Sequence, residues 1–151
     1  MDIRIVSGGL KDMALVKPLW ERLNAVHLEK SVHFKKKYKH FTFEQRMEPV
    51  LEKAGRGQLK IDLLMDGERA AGYCISSIEN GSGEIESIYI EPELRGGGWG
   101  GKLIERALSW FEENGIEDIS IGVVYDNKDA LPFYERYGFQ ISTYVLKRPK
   151  R

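Results

Sequence analysis

Residues 95–101 read Arg-Gly-Gly-Gly-Trp-Gly-Gly, with Gly96, Gly97, Gly98, Gly100 and Gly101 crowded into six positions. Glycine weakens a helix, and five in six positions exceed what a turn needs. A β-rich segment, Glu84 to Ile90, comes before them. Leu103, Ile104, Ala107, Leu108 and Phe111 follow at helical spacing. The glycines therefore sit where a loop opens a helix. Unpaired N–H groups and a partial positive charge gather at such a point. Without side chains in the way, a phosphate can approach the backbone closely, and Arg95 adds a forked cationic donor. An anion-binding loop is the functional reading, and relief of a crowded turn is the bland one.

The rest of the chain limits what surrounds this loop. Its 151 residues suit one domain, residues 1–151, and no fixed-period repeat or low-complexity linker divides it. Lys plus Arg and Asp plus Glu both number 23, so bulk electrostatic binding to nucleic acid is not expected. Met1 to Gly9 has no apolar leader core, and no run approaches the length of a membrane span. The lone cysteine, Cys74, fits a reducing, cytoplasmic compartment.

Ile3 to Val6 reads as a strand. Leu15, Val16, Leu19, Leu23 and Val26 read as a helix, with Asp12 as a candidate N-cap and Pro18 in its first turn. A basic stretch, Lys30 to His40, comes next. Thr42 and Gln45 form a capping-box pattern for a second helix, which Pro49 kinks or shortens and Gly55 or Gly57 closes. Leu59 to Met65, Ala70 to Ile78 and Glu84 to Ile90 form a meander turned at Asp66-Gly67 and Asn80-Gly81. After the glycine-opened helix come a strand at Ile119 to Val124, a short helix at Ala130 to Tyr137, and a last strand at Phe139 to Leu146. The order predicts an α/β (α+β) fold: a mixed, mostly antiparallel sheet of about six or seven strands with about four helices on both faces. The strands flanking the glycine-opened helix should be parallel neighbours.

Two motifs compete for the glycines. Gly96, Gly98 and Gly101 satisfy G-x-G-x-x-G, and Asp126 follows at a suitable distance. A dinucleotide fold would place that turn directly after its strand, but Glu91 to Arg95 intervene. The chain after Gly101 is also too short for the rest of a doubly wound sheet. The other motif is R-x-x-G-x-G, met by Arg95, Gly98 and Gly100. Ile85 through Gly100 resembles the acyl-CoA-binding segment of the GNAT superfamily of N-acetyltransferases. Asn127, Ala130, Phe133, Tyr134, Gly138 and Phe139 resemble that family's second block, N-x-x-A-x-x-F-Y-x-x-x-G-F.

The resemblance implies acetyl transfer from acetyl-CoA to a primary amine, on a small molecule or a protein, within a ternary complex and without a metal. Arg95, Gly96, Gly97, Gly98, Trp99, Gly100, Gly101 and Lys102 would cradle the pyrophosphate. Ile88, Tyr89 and Ile90 would hold the pantetheine arm and the acetyl carbonyl. Asn127 would touch the pantetheine side, or would simply cap the next helix. Tyr134 would protonate the leaving thiolate, its alternative being a core aromatic. Glu86, or else Glu84 on the same strand face, would take the amine proton, unless each merely faces solvent. A β-bulge of the kind the family carries would alter that parity.

His27, His33 and His40 lack zinc-site spacing, and Cys74 reads as core. The acceptor pocket would form around Leu23 to Arg46, where Lys35, Lys36, Lys37 and Lys39 alternate with Phe34, Tyr38, Phe41 and Phe43. These lysines suit an acidic substrate, an RNA-rich surface or a solvated loop, whereas the strand carboxylates suit a cationic amine. A homodimer is a further implication of the resemblance. A non-catalytic acyl-CoA-binding module and a dinucleotide-dependent oxidoreductase are the alternatives.

Overall fold

The computed structural model describes residues 2–151. Its sheet has the order β1 (Ile3–Gly8), β2 (Gln58–Asp66), β3 (Arg69–Glu79), β4 (Ser82–Ile90), β5 (Asp118–Ile121). The first four are antiparallel neighbours, whereas β4 and β5 run parallel. Between β1 and β2 come α1 (Met13–Lys30), α2 (Lys35–His40) and α3 (Phe43–Arg56). Next, α4 (Trp99–Glu113) connects β4 to β5, and α5 (Leu131–Glu135) follows β5. A meander of this kind rules out the doubly wound sheet of a dinucleotide fold.

Local chemistry explains most element boundaries. The Thr42 amide donates to Gln45 Oε1 at 2.9 Å, and the Gln45 amide donates to Thr42 Oγ1 at 3.1 Å. This reciprocal pair satisfies two orphan donors and starts α3. Asn80 and Gly81 both adopt positive φ, as a tight primed hairpin turn requires. Val16, Leu19 and Trp20 of α1 pack with Phe43, Met47 and Val50 of α3 on one sheet face, over Ile61, Leu63, Tyr73 and Ile75. On the other face, Leu103, Ile104, Ala107 and Phe111 of α4 cover Cys74, Ile78 and Ile85. Adjacent strand residues such as Tyr73 and Cys74 feed opposite layers, as the two-residue period demands.

Five details depart from the sequence expectation. Five strands form instead of six or seven, and five α-helices instead of about four. Phe139 to Leu146 has strand-like composition but no ladder partner, and Ile141, Tyr144, Val145 and Leu146 are exposed. Side-chain propensity makes only half of a strand; hydrogen-bonded pairing makes the rest. Pro18 and Pro49 lie inside α1 and α3 without ending either helix. Lys35–His40, read from sequence only as a basic stretch with interleaved aromatics, is a helical turn, α2, with Tyr38 buried. Finally, β5 stops at Ile121, three residues before its expected end.

That early stop positions the site. Only Ser82 to Ile85 pair with Asp118 to Ile121. Beyond Ile85 the two strands splay, leaving the β5-facing edge of β4 without a ladder partner. The β3–β4 register also shifts here: Ile75 stands opposite Ser87 and Ser76 opposite Ile85, so Glu86 is an extra residue. It forms a β-bulge.

Candidate functional site

Gly98 has φ of 83° and caps the N-terminus of α4, and Gly96 has φ of 86°. L side chains rarely adopt this conformation. Gly100 and Gly101 answer a different need. A Cβ on Gly100 would lie 3.2 Å from Phe133 Cζ, and one on Gly101 would lie 2.1 Å from Tyr137 Oη. The aromatic residues of α5 and its C-terminal turn therefore rest directly on the first turn of α4. The glycine loop and the Phe133-Tyr134 block, well separated in sequence, interlock through these two missing side chains.

The N–H groups of residues 96–101 donate no hydrogen bond to the described residues; the first helical bond here runs from the Lys102 amide to the Gly98 carbonyl at 3.1 Å. Six consecutive free donors at a helix N-terminus make an anion cradle. Arg95 Nε donates to the Ile90 carbonyl at 2.8 Å, and its guanidinium lies over the Tyr89 ring. Arg95 thus also ties the loop to the end of β4. Lys102 Nζ sits 4.2 Å from the centre of the Trp99 ring, at the cradle's edge.

Next to the cradle, a cleft of about 230 Å³ opens where β4 and β5 separate. Ile85, Glu86, Ser87 and Ile88 line one wall; Ile121 to Val124, Asn127 and Tyr134 line the other. Trp20, Leu23, Asn24 and His27 of α1, with Lys37, Phe41 and Arg46, close it. Burial pushes the Tyr134 hydroxyl up to about 12, with a smaller push from Cys74, so it stays a proton donor throughout the neutral range. The Asn127 side chain does not cap the turn after it; its Oδ1 accepts from Lys30 Nζ at 3.2 Å.

Glu84 and Glu86 share a face, and the Lys53 ammonium spans them at 2.9 and 2.7 Å. The bulge adds Ser87 to that face: its hydroxyl is 2.8 Å from the Tyr73 hydroxyl, in the layer under α1 and α3. Ile88 and Ile90 turn to the α4 layer. The Glu86 side chain, only 4 % exposed, also accepts from Ser77 Oγ at 2.6 Å and lies 3.5 Å from Arg46 Nη2. Burial alone would raise its carboxyl. The hydrogen bonds from Lys53 and Ser77, with the charges of Lys53 and Arg46, overcome that and hold it below its ordinary value.

Leu23, Asn24, His27, Lys37, Phe41 and Arg46 fall within the Leu23 to Arg46 stretch expected to form the acceptor pocket, whereas sequence reasoning missed Trp20 and this clamp. A signal existed: Arg46 and Lys53 recur with Phe43, Met47 and Val50 at core-facing helical spacing, where a cation implies a buried carboxylate opposite. Among the described residues no group of three His, Cys, Asp or Glu side chains converges as a metal site would require. No helix among them is long and apolar enough to cross a membrane.

Comparison with known proteins agrees with this geometry. The chain is 37% identical over 67 residues to the uncharacterized N-acetyltransferase MJ1207 of Methanocaldococcus jannaschii, covering 44% of this chain and 30% of that protein. It is 32% identical over 80 residues to N-alpha-acetyltransferase 30 of Schizosaccharomyces pombe, covering 50% of this chain and 53% of that one. The matched stretches span 24% to 53% of the length of these and other curated relatives. Among solved structures, a putative acetyl transferase from Pyrococcus furiosus superposes with a TM-score of 0.74 at 21% identity, covering 99% of this chain and 100% of that one. The model of the "Acetyltransferase (GNAT) family" matches residues 20–139, a span that takes in the C-terminal part of α1, the splayed strands, the glycine cradle and Tyr134, and the chain belongs to that family.

Proposed function

We propose that this protein is an N-acetyltransferase that moves an acetyl group from acetyl-CoA to a primary amine by direct attack within a ternary complex. The observation that carries this reading is the row of free N–H groups at residues 96–101 opening beside the β4–β5 cleft, with Tyr134 on the far wall. The cradle fits a pyrophosphate, and the unpaired edge of β4 from Ser87 to Ile90 offers backbone partners to a pantetheine arm.

In this reading the acceptor nitrogen attacks the thioester carbon. N–H groups of Ile88 to Ile90 stabilise the carbonyl oxygen as it gains charge. The carbon–sulfur bond then breaks, and Tyr134 gives its proton to the sulfur. A phenol held protonated to about pH 12 suits that role. Glu86, fixed as an anion by Lys53, receives the amine proton through water, and the half-exposed Glu84 passes it to solvent. Orienting two bound substrates supplies much of the rate.

The test has two arms. Acetyl-CoA should raise the melting temperature while NADH and NADPH do not. Stabilisation by a nicotinamide dinucleotide alone would refute acetyl transfer. Tyr134→Phe should slow turnover by more than about tenfold while acetyl-CoA still stabilises the fold. An unchanged rate would remove Tyr134 from the mechanism, and no turnover of any amine by the parent chain would favour a non-catalytic acyl-CoA-binding module.

A further inference from the structure

The carboxylates that the sequence offers to a polycationic acceptor are already taken. Lys53 bridges Glu84 and Glu86, while Ser77 and Arg46 complete the shell of Glu86. On this wall three cations, Lys37, Arg46 and Lys53, face two carboxylates. Lys37 is the one left over. It lines the cleft, has no ion-pair or hydrogen-bond partner among the described residues, and holds its ammonium over the rings of Tyr38 and Phe41 at 5.3 and 5.4 Å. Partial burial lowers its pKa, as do the neighbouring charges of Lys147 and Arg46, so the local field is positive. His27, the remaining titratable group of the α1 wall, is kept neutral by burial and by Lys30 and Lys37, and so adds no counter-charge. Around these groups Trp20, Leu23 and Phe41 make the wall apolar.

Resting on the acetyltransferase reading, we infer that the acceptor is a small amine that also carries a carboxylate and a compact apolar body. Its carboxylate is held between Lys37 and Arg46, and its amine points to the Glu86–Ser87 bulge. A second cation on the acceptor would meet Lys37 and Arg46 without a free carboxylate to receive it. A carboxylate supplies the missing partner and sets the substrate's direction in the cleft. The cleft, at about 230 Å³, matches a small acceptor.

Matched substrates test this. Phenylalanine against phenethylamine, and leucine against isoamylamine, differ only in the carboxylate; 1,4-diaminobutane supplies the second cation. Rates of CoA thiol release should favour each carboxylate member by about ten- to a hundredfold in kcat/KM, the range of a charge-assisted hydrogen bond. Lys37→Met should bring each ratio to near unity, mainly through KM, and Lys37→Arg should keep it above parity. Equal rates within the pairs, a preference for the diamine, or a ratio untouched by Lys37→Met would overturn the carboxylate. If acetyl-CoA stabilises the protein and the whole panel stays silent, the acceptor class is wrong and the cofactor reading stands. If acetyl-CoA fails to stabilise it as well, the acetyltransferase reading falls first.

Discussion

Removing the Lys53 ammonium should turn Glu86 from a source of stability into a burden, and the size of that change should depend on pH. Breaking a buried ion pair by deleting one partner costs about 3–5 kcal/mol when nothing replaces it. Here Ser77 and Arg46 remain, and the Lys53 side chain is 25% exposed, so about 2 kcal/mol is the appropriate figure for Lys53→Met near pH 8. In the parent chain the Glu86 carboxyl lies below its ordinary value. Its contribution is therefore present above the ordinary carboxylate pKa, about 4.3, and is lost as pH falls through the lowered value. In the variant, burial dominates and the carboxyl moves up. The buried charge then costs stability at high pH, and protonation relieves it as pH falls through the raised value. Urea unfolding, with a constant m-value, should show the deficit shrinking from about pH 8 to about pH 5. Adding Glu86→Gln to Lys53→Met should recover most of the loss near pH 8. A deficit that stays flat with pH, or a double variant as weak as the single, would refute the clamp.

Two other outcomes follow from the geometry. Gly101→Ala would drive a methyl group into Tyr137 Oη, so α5 must shift. The fold should lose about 1–3 kcal/mol and turnover should fall with it, and an unchanged thermal midpoint would contradict the interlock. His27 is lowered to about 4 by burial, then by Lys30 and Lys37. Stability tied to His27 is complete above its ordinary value near 6.5 and is lost as pH falls towards about 4, because only the unfolded chain takes up the proton in that window. The loss amounts to about 2 kcal/mol after allowance for partial exposure, and His27→Gln should flatten that part of the acid limb.

What the sequence revealed was mostly local. The Thr42–Gln45 box, the Asn80-Gly81 turn and the glycine-opened helix are written in residues a few positions apart, and each formed where its chemistry required. The bulge at Glu86 was not legible in the same way. It arises from the register between β3 and β4, and no residue in Ile85-Glu86-Ser87 marks it. Alternation alone would place Ser87 with Ile85 and Ile88 with Glu86, whereas the bulge reverses both. The tail fails for the opposite reason. Ile141, Tyr144 and Val145 satisfy strand propensity, but a strand also needs an edge within reach, and no single segment can report that. Neutral overall charge concealed the local imbalance in the cleft, because Lys37 stands apart only once Lys53, Arg46, Glu84 and Glu86 are seen to satisfy one another.

The cradle at residues 96–101 is built from main-chain N–H groups, and this governs how mutation can reach it. Alanine scanning leaves every donor in place. Replacing Gly98 with alanine strains a turn, and replacing Gly101 crowds Tyr137, but neither removes a hydrogen bond to a bound phosphate. Only proline or an amide-to-ester exchange deletes a donor. The part of the site with the most direct hold on an anion is therefore nearly silent to side-chain genetics. Variation recorded there reports on the shape of the loop, and the donors themselves belong to a feature that every amino acid except proline supplies.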